Sequence, residues 1–400
     1  MLPPHIDRTK RRRAPAPTTR RDESHETEPR TDTDAGEDTD AGIRSVGIFV
    51  TRRIPDPGLE LLRAAAVTFT VFQNEEDQGL TREEVLQGAR SCDVLLPLLT
   101  EAIDREVLEA NERLLGVAQM AVGFDNIDVQ AATELGIPIG NTPGVLTDTT
   151  ADLAWALLMA AARRIPEAHR YTADGRYKRW GPNLFTGSDV SPGASGRRKV
   201  LGIVGYGRIG QAMARRAAGF DMDVLAYDPH NRAGVEADPG VTWADLDTLL
   251  EQSDFVTLHT LLTEETRHLI SAPQLRRMKP TAILINTSRG PVVDEAALVT
   301  ALGEGWIEAA GLDVYEDEPA LAPGLAELPN AVLLPHIASG SRDTRGKMAE
   351  MAAANALAFL RGEPGPTTVN PEVYDTEAYR RRVARVRGEE AEAATAAADR

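Results

Sequence analysis

Cysteine is nearly absent. Cys92 is the single one in 400 residues, which excludes an intrachain disulfide and a thiolate cage for a metal, and makes a reducing compartment the default. Long apolar runs are missing too. The purest, Leu153 to Ala162, falls far short of the roughly 18–20 residues of a membrane span, and no apolar h-region stands near the N-terminus. A cytoplasmic protein with no membrane partner is expected. Positive charge is in deficit: 44 basic against 61 acidic residues give a net charge of −17. Such a surface repels nucleic acid, so no nucleic-acid partner is expected either. What remains is globular in character, with 42% hydrophobic and 26% charged residues. The length is enough for two domains that each bury a core.

The ends differ from the middle. Residues 1–44 carry a basic block at Lys10 to Arg13 followed by Asp22, Glu23, Glu26, Glu28, Asp32, Asp34, Glu37, Asp38 and Asp40, with hardly an apolar residue between them. Burial cannot offset the ordering entropy of such a segment, which reads as a disordered charged tail. A basic targeting arm is the alternative, weakened by the acidic block beside it. The stretch from about Tyr374 to Arg400 is rich in Arg, Glu and Ala and reads as a charged helix or a frayed tail.

Between the ends, short β-branched runs alternate with helical patterns, the signature of parallel sheets covered by helices on both faces. One series comprises Val46 to Val50, Val67 to Phe72, Val94 to Leu98, Gly116 to Val122 and Ile137 to Gly140. A second comprises Val200 to Val204, Val224 to Tyr227, Phe255 to His259, Ala282 to Asn286, Ala309 to Val314 and Val332 to Pro335. The fold class is therefore α/β, with two doubly wound Rossmann-like domains and a cleft between them. Gly140 to Gly144 punctuates the first crossing, after which Thr147 or Asp148 is expected to cap a helix running to about Arg164. Met348 to Leu360 has helical periodicity with no strand of its own, so it is expected to return to the first domain. The expected division is 45–143 with 337–370 as a discontinuous substrate domain, 144–336 as a dinucleotide-binding domain, and 371–400 as a charged C-terminal tail.

The strand Val200 to Val204 runs into Gly205-Tyr206-Gly207-Arg208-Ile209-Gly210, then a helical pattern, then a strand that ends at Asp228. Gly205, Gly207 and Gly210 suit a tight turn, close backbone approach to a pyrophosphate, and helix packing on the sheet, while the helix N-terminus offers partial positive charge. A glycine pattern alone is weak evidence; between a strand and a helix it is strong. Asp228, 18 residues beyond Gly210, can accept from ribose hydroxyls and repel a 2′-phosphate, which favours NAD over NADP. Arg232 carries the opposite reading, since it could swing toward such a phosphate.

Three polar groups end apolar strands of the second series, where open α/β sheets place ligand sites. They are Arg289 after Asn286, Glu318 after Gly311 to Tyr315, and His336 after Leu333 to Pro335. Reducing a 2-keto acid needs a cation for its oxygens, a proton donor for the nascent alkoxide, and a carboxylate to keep that donor charged. Arg289 can hold oxygens bidentately. Imidazole is the side chain suited to giving and taking a proton under physiological conditions, which fits His336 as donor, and Glu318 beside it would favour the imidazolium. Singly, each has a bland alternative as a core histidine, a salt-bridged turn or a solvent-facing acid. Together, beside a nucleotide-binding pattern, they form a constellation. His259 and His268 have no second ligand at metal spacing, and no metal is expected.

From Ser45 to Asn370 the sequence resembles the D-2-hydroxyacid dehydrogenases, and among them the glyoxylate and hydroxypyruvate reductases. The resemblance rests on Ala121 to Asp128, Asn141 to Thr147, Trp180 to Phe185, the glycine loop, Asn286 to Gly290, Gly311 to Pro319 and Pro335 to Ser339. It implies that Arg289, Glu318 and His336 are catalytic, with Arg289 binding substrate and His336 acting as acid in reduction and as base in oxidation. It also implies NAD contacts from Arg208, Ile209, Asp228, Thr260, Thr287, Ser288 and Asp313, and a substrate carboxylate received by the amides of Val122 and Gly123. Asp313 could instead stabilise a turn. Trp180 is implied at a homodimer interface, with core packing as the alternative. The activity implied is reduction of glyoxylate or hydroxypyruvate to glycolate or D-glycerate. A 3-phosphoglycerate dehydrogenase is the nearest rival, and an NAD-sensing corepressor is the non-enzymatic one. Glu318 disfavours a formate dehydrogenase. Leu261, where the family often has proline, and an apparent insertion at Ser191 to Ser195 depart from the pattern in loops.

Overall fold

A computed structural model describes residues 47–73 and 79–387. The expectation for residues 1–44 lies outside the described residues, as does that for 388–400. Two parallel sheets organise the chain. The first takes β1 (Gly47–Val50), β2 (Thr68–Val71), β3 (Val94–Leu96), β4 (Gly116–Ala118) and β5 (Ile139–Gly140) in the order β2-β1-β3-β4-β5. The second takes β6 (Val200–Val204), β7 (Asp223–Tyr227), β8 (Thr242–Trp243), β9 (Phe255–Leu258), β10 (Ile283–Asn286), β11 (Ala309–Leu312) and β12 (Ala331–Leu333) in the order β12-β11-β10-β9-β6-β7-β8. Each order reverses beside its first strand. At that reversal the connecting helices diverge to opposite faces and leave a crevice beyond the strands' carboxyl ends.

Central strands buried on both faces read as nearly continuous apolar runs and do not alternate. Val94–Leu96, Phe255–Leu258 and Ile283–Asn286 are buried at every position. Each sheet therefore separates two cores, with Ile48, Val50 and Phe359 on one side of the first and Leu95, Val117 and Ile139 on the other. The helix Arg342–Leu360 packs against the first sheet and against the helix Asp56–Ala64. It can approach that closely because Gly58 has no side chain; a Cβ there would meet the backbone of Ala349 at 2.7 Å. The helix Thr147–Ala162 covers β10 and β11 of the second sheet with Ala151, Ala154 and Ala161, whose small side chains allow close contact.

Four details differ from the sequence reading. The strand Thr242–Trp243 is too short to show a pattern of its own. The helix expected from Met348 begins at Arg342, capped by the Ser341 hydroxyl, which accepts from the Thr344 amide. Neither Thr147 nor Asp148 caps the helix they were expected to cap, because both lie inside its first turn, behind Leu146. Asp148 pairs with Arg216 instead. Finally, residues 371–387 are docked on the first domain as a short 3-10 turn, Pro371–Asp375, and a helix, Glu377–Arg387, with Val373 and Tyr379 buried.

Arg382 anchors that helix. Its guanidinium donates to the carbonyls of Leu135 (3.1 Å), Asn111 (3.2 Å), Glu112 (2.9 Å) and Leu114 (3.1 Å). A planar fork with five donors suits a cluster of carbonyls at chain turns. Burial, the larger influence, and the nearby Arg385 push its pKa down to about 10, so it remains charged at neutral pH. Arg382→Ala should strip these acceptors and lower the stability of the first domain by about 2 kcal/mol or more. Urea unfolding followed by fluorescence measures this, and a loss under about 0.5 kcal/mol would show that the docked helix adds nothing.

Candidate active site

The glycine loop follows β6 and leads into the helix Arg208–Ala218. Each glycine answers a different constraint. Gly205 has φ +93°, a left-handed conformation, and a Cβ would strike the backbone of His259 and Thr260 after β9. A Cβ at Gly210 would overlap the Gly205 carbonyl, so that glycine lets the helix sit on its own loop. Gly207, at the helix N-cap, would place a Cβ in open space. There the fold itself does not require a glycine. The hydroxyls of Thr260 and Thr287, at the ends of β9 and β10, are buried with no protein partner. Unpartnered buried hydroxyls and an open glycine ledge at a helix N-terminus fit a dinucleotide phosphate and its flanking groups.

Asp228 closes the far side of this loop. One of its oxygens accepts from the Tyr206 amide at 2.9 Å, and the other from the amides of His230 and Asn231 at 3.0 Å each. Arg232 is engaged elsewhere, paired with Glu236 at 2.8 Å and lying over the Trp243 ring at 4.1 Å. Arg208 and Ile209 open the helix at the loop.

The groups of the catalytic constellation do meet. His336 Nδ1 lies 2.9 Å from Glu318 Oε2, and the Tyr315 amide donates to Glu318 Oε1 at 3.0 Å. Burial penalises the Glu318 carboxylate. The hydrogen bond and charge of His336, the Tyr315 amide and the charge of Arg289 outweigh that penalty and hold its pKa below the usual carboxyl range. With the folded value below the unfolded one, the carboxylate's stabilising contribution is present above the ordinary range and is lost as pH falls through the depressed value. Engagement of Nδ1 leaves Nε2 as the ring atom available to a ligand.

His336 has φ +54°, a left-handed conformation that a histidine seldom adopts. Asp313, fully buried at the end of β11, holds it there. Its carbonyl accepts from the His336 amide at 2.9 Å, and its two carboxylate oxygens accept from the amides of Ile337 at 2.8 Å and Ala338 at 2.7 Å. Burial raises the Asp313 pKa, against those two amides. The hydroxyl of Tyr315 donates to the Leu334 carbonyl at 2.8 Å and ties the Glu318 segment to the His336 segment. Asn286 shapes the third arm: its Oδ1 accepts from the Ser288 amide and hydroxyl, and its Nδ2 donates to the Arg289 carbonyl.

Arg289 reaches out of the second domain to the loop after β4. Its Nε donates to Asp125 Oδ1 at 2.9 Å and its Nη1 to the Ser288 carbonyl at 2.8 Å. Nη2 lies so close to Gly123 that a Cβ there would overlap it. Among the described residues, the amides of Val122 and Gly123 have no acceptor. That loop is built rigidly: Gln119 and Asn126 exchange hydrogen bonds of 2.9 Å, and Asn126 also donates to the carbonyls of Leu98 and Glu101. A cation, two free amides and an imidazole with one bound nitrogen thus gather between the carboxyl ends of the two sheets.

Asp125, Tyr315, Asn286, Gln119 and Asn126 received no role from sequence. Asp125, Asn126, Asn286 and Tyr315 lie inside the motifs that carry the resemblance, which was the signal available for them. Gln119 had none. Trp180 is 73% exposed, which removes the core-packing alternative. His259 is half-buried with Nε2 at 2.9 Å from the Thr257 hydroxyl and Nδ1 without a partner among the described residues, and burial depresses its pKa to about 3, which favours the neutral ring. His268 pairs with Glu316. Leu261 is exposed, and Gly193–Ser195 in the apparent insertion forms a 3-10 turn at the surface.

Residues 155–338 match the family model for the D-isomer specific 2-hydroxyacid dehydrogenase NAD binding domain. A glyoxylate reductase of Korarchaeum cryptofilum is 53% identical over 329 residues, which span 82% of this chain and 96% of that protein. The glyoxylate reductase of Thermococcus kodakarensis is 49% identical over 330 residues, covering 82% and 96%. Among solved structures, a Thermus thermophilus protein superposes with a TM-score of 0.74 at 42% identity, covering 81% of this chain and all of that one. An NADPH-dependent glyoxylate/hydroxypyruvate reductase of Sinorhizobium meliloti, in complex with NADP and malonate, does so with a TM-score of 0.71 at 32% identity, covering 82% and 98%. With that extent of similarity across both sheets and the loops between them, the chain belongs to the D-isomer specific 2-hydroxyacid dehydrogenases.

Proposed function

We propose that the protein is an NAD(H)-dependent reductase of small 2-keto acids, with glyoxylate and hydroxypyruvate as substrates and glycolate and D-glycerate as products. The observation that carries this reading is the His336–Glu318 contact beside an Arg289 that reaches Gly123. Residues 45–143 with 337–370 form the substrate domain, and 144–336 the cofactor domain.

The bound dinucleotide supplies the hydride. The chain's own groups do the rest. The amides of Val122 and Gly123 receive the substrate carboxylate, and Arg289 directs its remaining N–H groups to the carboxylate and the keto oxygen. His336 delivers a proton from Nε2 to the oxygen as it becomes an alkoxide, and Glu318 at Nδ1 stabilises the imidazolium and fixes its tautomer. In the reverse direction Nε2 takes that proton back. Gly205, Gly207, Arg208, Ile209 and Gly210 hold the pyrophosphate, and Thr260, Thr287, Ser288 and Asp313 flank the rest of the dinucleotide.

NAD is the preferred form in this reading. The Asp228 carboxylate has about four acceptor sites and uses three on backbone amides, which leaves one for a ribose hydroxyl and a charge that opposes a 2′-phosphate. Arg232 is bound to Glu236 and Trp243 and is not poised for such a phosphate. The helix Ile165–Ala173 has no buried residue, and Ile165, Tyr177, Trp180 and Leu184 are exposed in and after it. An exposed apolar set of this kind supports a homodimer across that surface. Among the described residues no helix is long and apolar enough to cross a membrane.

NADH absorbance decay with a panel of glyoxylate, hydroxypyruvate and phosphohydroxypyruvate tests the assignment. Turnover of the first two is expected. Faster use of the phosphorylated acid would assign the protein to the phosphoglycerate reaction, and no turnover from folded, NADH-bound protein would assign a binding role. His336→Ala should lower kcat by about 10²–10⁴ while NADH still binds. Asp228→Ala should weaken NADH relative to NADPH, read as a fall in their affinity ratio of about tenfold or more; an unchanged ratio would remove Asp228 from cofactor discrimination.

A further inference from the structure

We infer that Tyr206 is a positioning residue for the adenosine end of the cofactor: its hydroxyl, bonded to Asp238, fixes the segment after β7 that begins at Asp228 and so sets the preference for NADH. The inference rests on the NAD(H) reading proposed above and concerns what aligns Asp228 for it.

The segment 229–240 joins β7 to the two-residue strand β8 and has little rigidity of its own. Its helix, Arg232–Glu236, is five residues long, too short to persist without tertiary contacts. Arg232 and Glu236 pair with each other at 2.8 Å, inside the segment. Among the described residues, the two hydrogen bonds that side chains of 229–240 make outside the segment both end on Tyr206. Asn231 Nδ2 donates to the Tyr206 carbonyl at 3.0 Å, and Asp238 Oδ2 accepts from the Tyr206 hydroxyl at 2.7 Å. Asp228, just before the segment, accepts from the Tyr206 amide at 2.9 Å. One residue of the glycine loop therefore grips this stretch of chain by its amide, its carbonyl and its hydroxyl.

The hydroxyl is the part that packing alone would not require. Tyr206 is fully buried, and its ring belongs to the core that includes Met213 and Val235, a place that phenylalanine would also fill. A buried phenol needs a partner. It finds one in Asp238, whose other oxygen accepts from the Gly240 amide at 3.1 Å. Burial, and after it the hydrogen bond and charge of Asp238, push the Tyr206 pKa well above the ordinary phenol range, so the hydroxyl donates at neutral pH. This bond pins the far end of the segment. At the near end, the amides of His230 and Asn231 hold Asp228 Oδ1 at 3.0 Å each. A carboxylate held by three amides points its remaining acceptor site in the direction those amides dictate. Release at Asp238 lets two of the three drift, and the site offered to the ribose hydroxyl drifts with them. NADH loses that hydrogen bond; NADPH, whose 2′-phosphate the carboxylate opposes, loses less.

The test measures the dissociation constants of NADH and NADPH by fluorescence, with steady-state kinetics on glyoxylate, for Tyr206→Phe, Asp238→Ala and Asp238→Asn. Tyr206→Phe keeps the ring and removes the hydroxyl. It should weaken NADH by about three- to tenfold and narrow the NADH-to-NADPH affinity ratio by about threefold or more. At saturating NADH, kcat should stay within about twofold, since hydride and proton move at the other end of the dinucleotide. Asp238→Ala, at a half-buried position outside the core, should reproduce these effects. Asp238→Asn keeps an acceptor for the phenol and should recover most of the affinity lost in the alanine variant. The double variant Tyr206→Phe/Asp238→Ala should bind NADH no more weakly than either single one. Unchanged NADH affinity in Tyr206→Phe and Asp238→Ala, equal weakening of NADH and NADPH, or additive losses in the double variant would overturn the inference and leave the reductase reading intact. Failure of the unsubstituted protein to bind either dinucleotide would overturn both.

Discussion

The buried carboxylate of Asp313 is the constraint on which the site depends. It stands at the end of β11 with no exposed surface, and it holds its desolvated charge by accepting from the amides of Ile337 and Ala338. Those two bonds, with the one from the His336 amide to its carbonyl, stabilise a left-handed histidine that would otherwise relax. In that conformation the imidazole turns Nδ1 to Glu318. The desolvation cost is offset by order in the loop that carries the proton donor of the proposed reaction. The resemblance implied a cofactor contact for Asp313, and the structure adds this positioning of the histidine loop.

The second constraint spans the two domains. Each sheet brings its loops to the carboxyl ends of its strands, but neither holds a complete site. The second sheet contributes the imidazole, its acid and the guanidinium; the first contributes free amides at Val122 and Gly123 and the carboxylate of Asp125. The bond from Arg289 to Asp125 registers one set against the other. The proposed chemistry therefore depends on the relative placement of two folding units, and changes at their boundary should affect turnover before they affect either core.

Much of the architecture was legible because its causes are local. β-branched runs such as Val200–Val204 and Ile283–Asn286 are strands wherever they are buried on both faces, and a glycine loop between a strand and a helix has few other uses. Asp228 directly follows β7, and Arg289, Glu318 and His336 lie in the segments after β10, β11 and β12, so they could be picked out. Other features carried no local sign. Thr242–Trp243 becomes a strand only because an edge is free beside β7. The helix Glu377–Arg387 reads as solvated charge until Arg382 is seen to fill a hole lined by four carbonyls. Trp180 was left open between core and interface, and its exposure was decided by the packing around it.

The sequence by itself determined the fold class, the order of the strands along the chain, the position of the cofactor loop and the identity of the three polar groups beyond the second sheet. These follow from periodicity, from the backbone freedom of glycine and from the chemistry that each side chain can perform. Tertiary structure alone decided which groups touch. The Arg289–Asp125 bond joins residues 164 positions apart, and the Ala338–Asp313 bond spans 25. Hydrogen-bond partners at such separations are set by how sheets twist and helices pack, and no spacing along the chain encodes them.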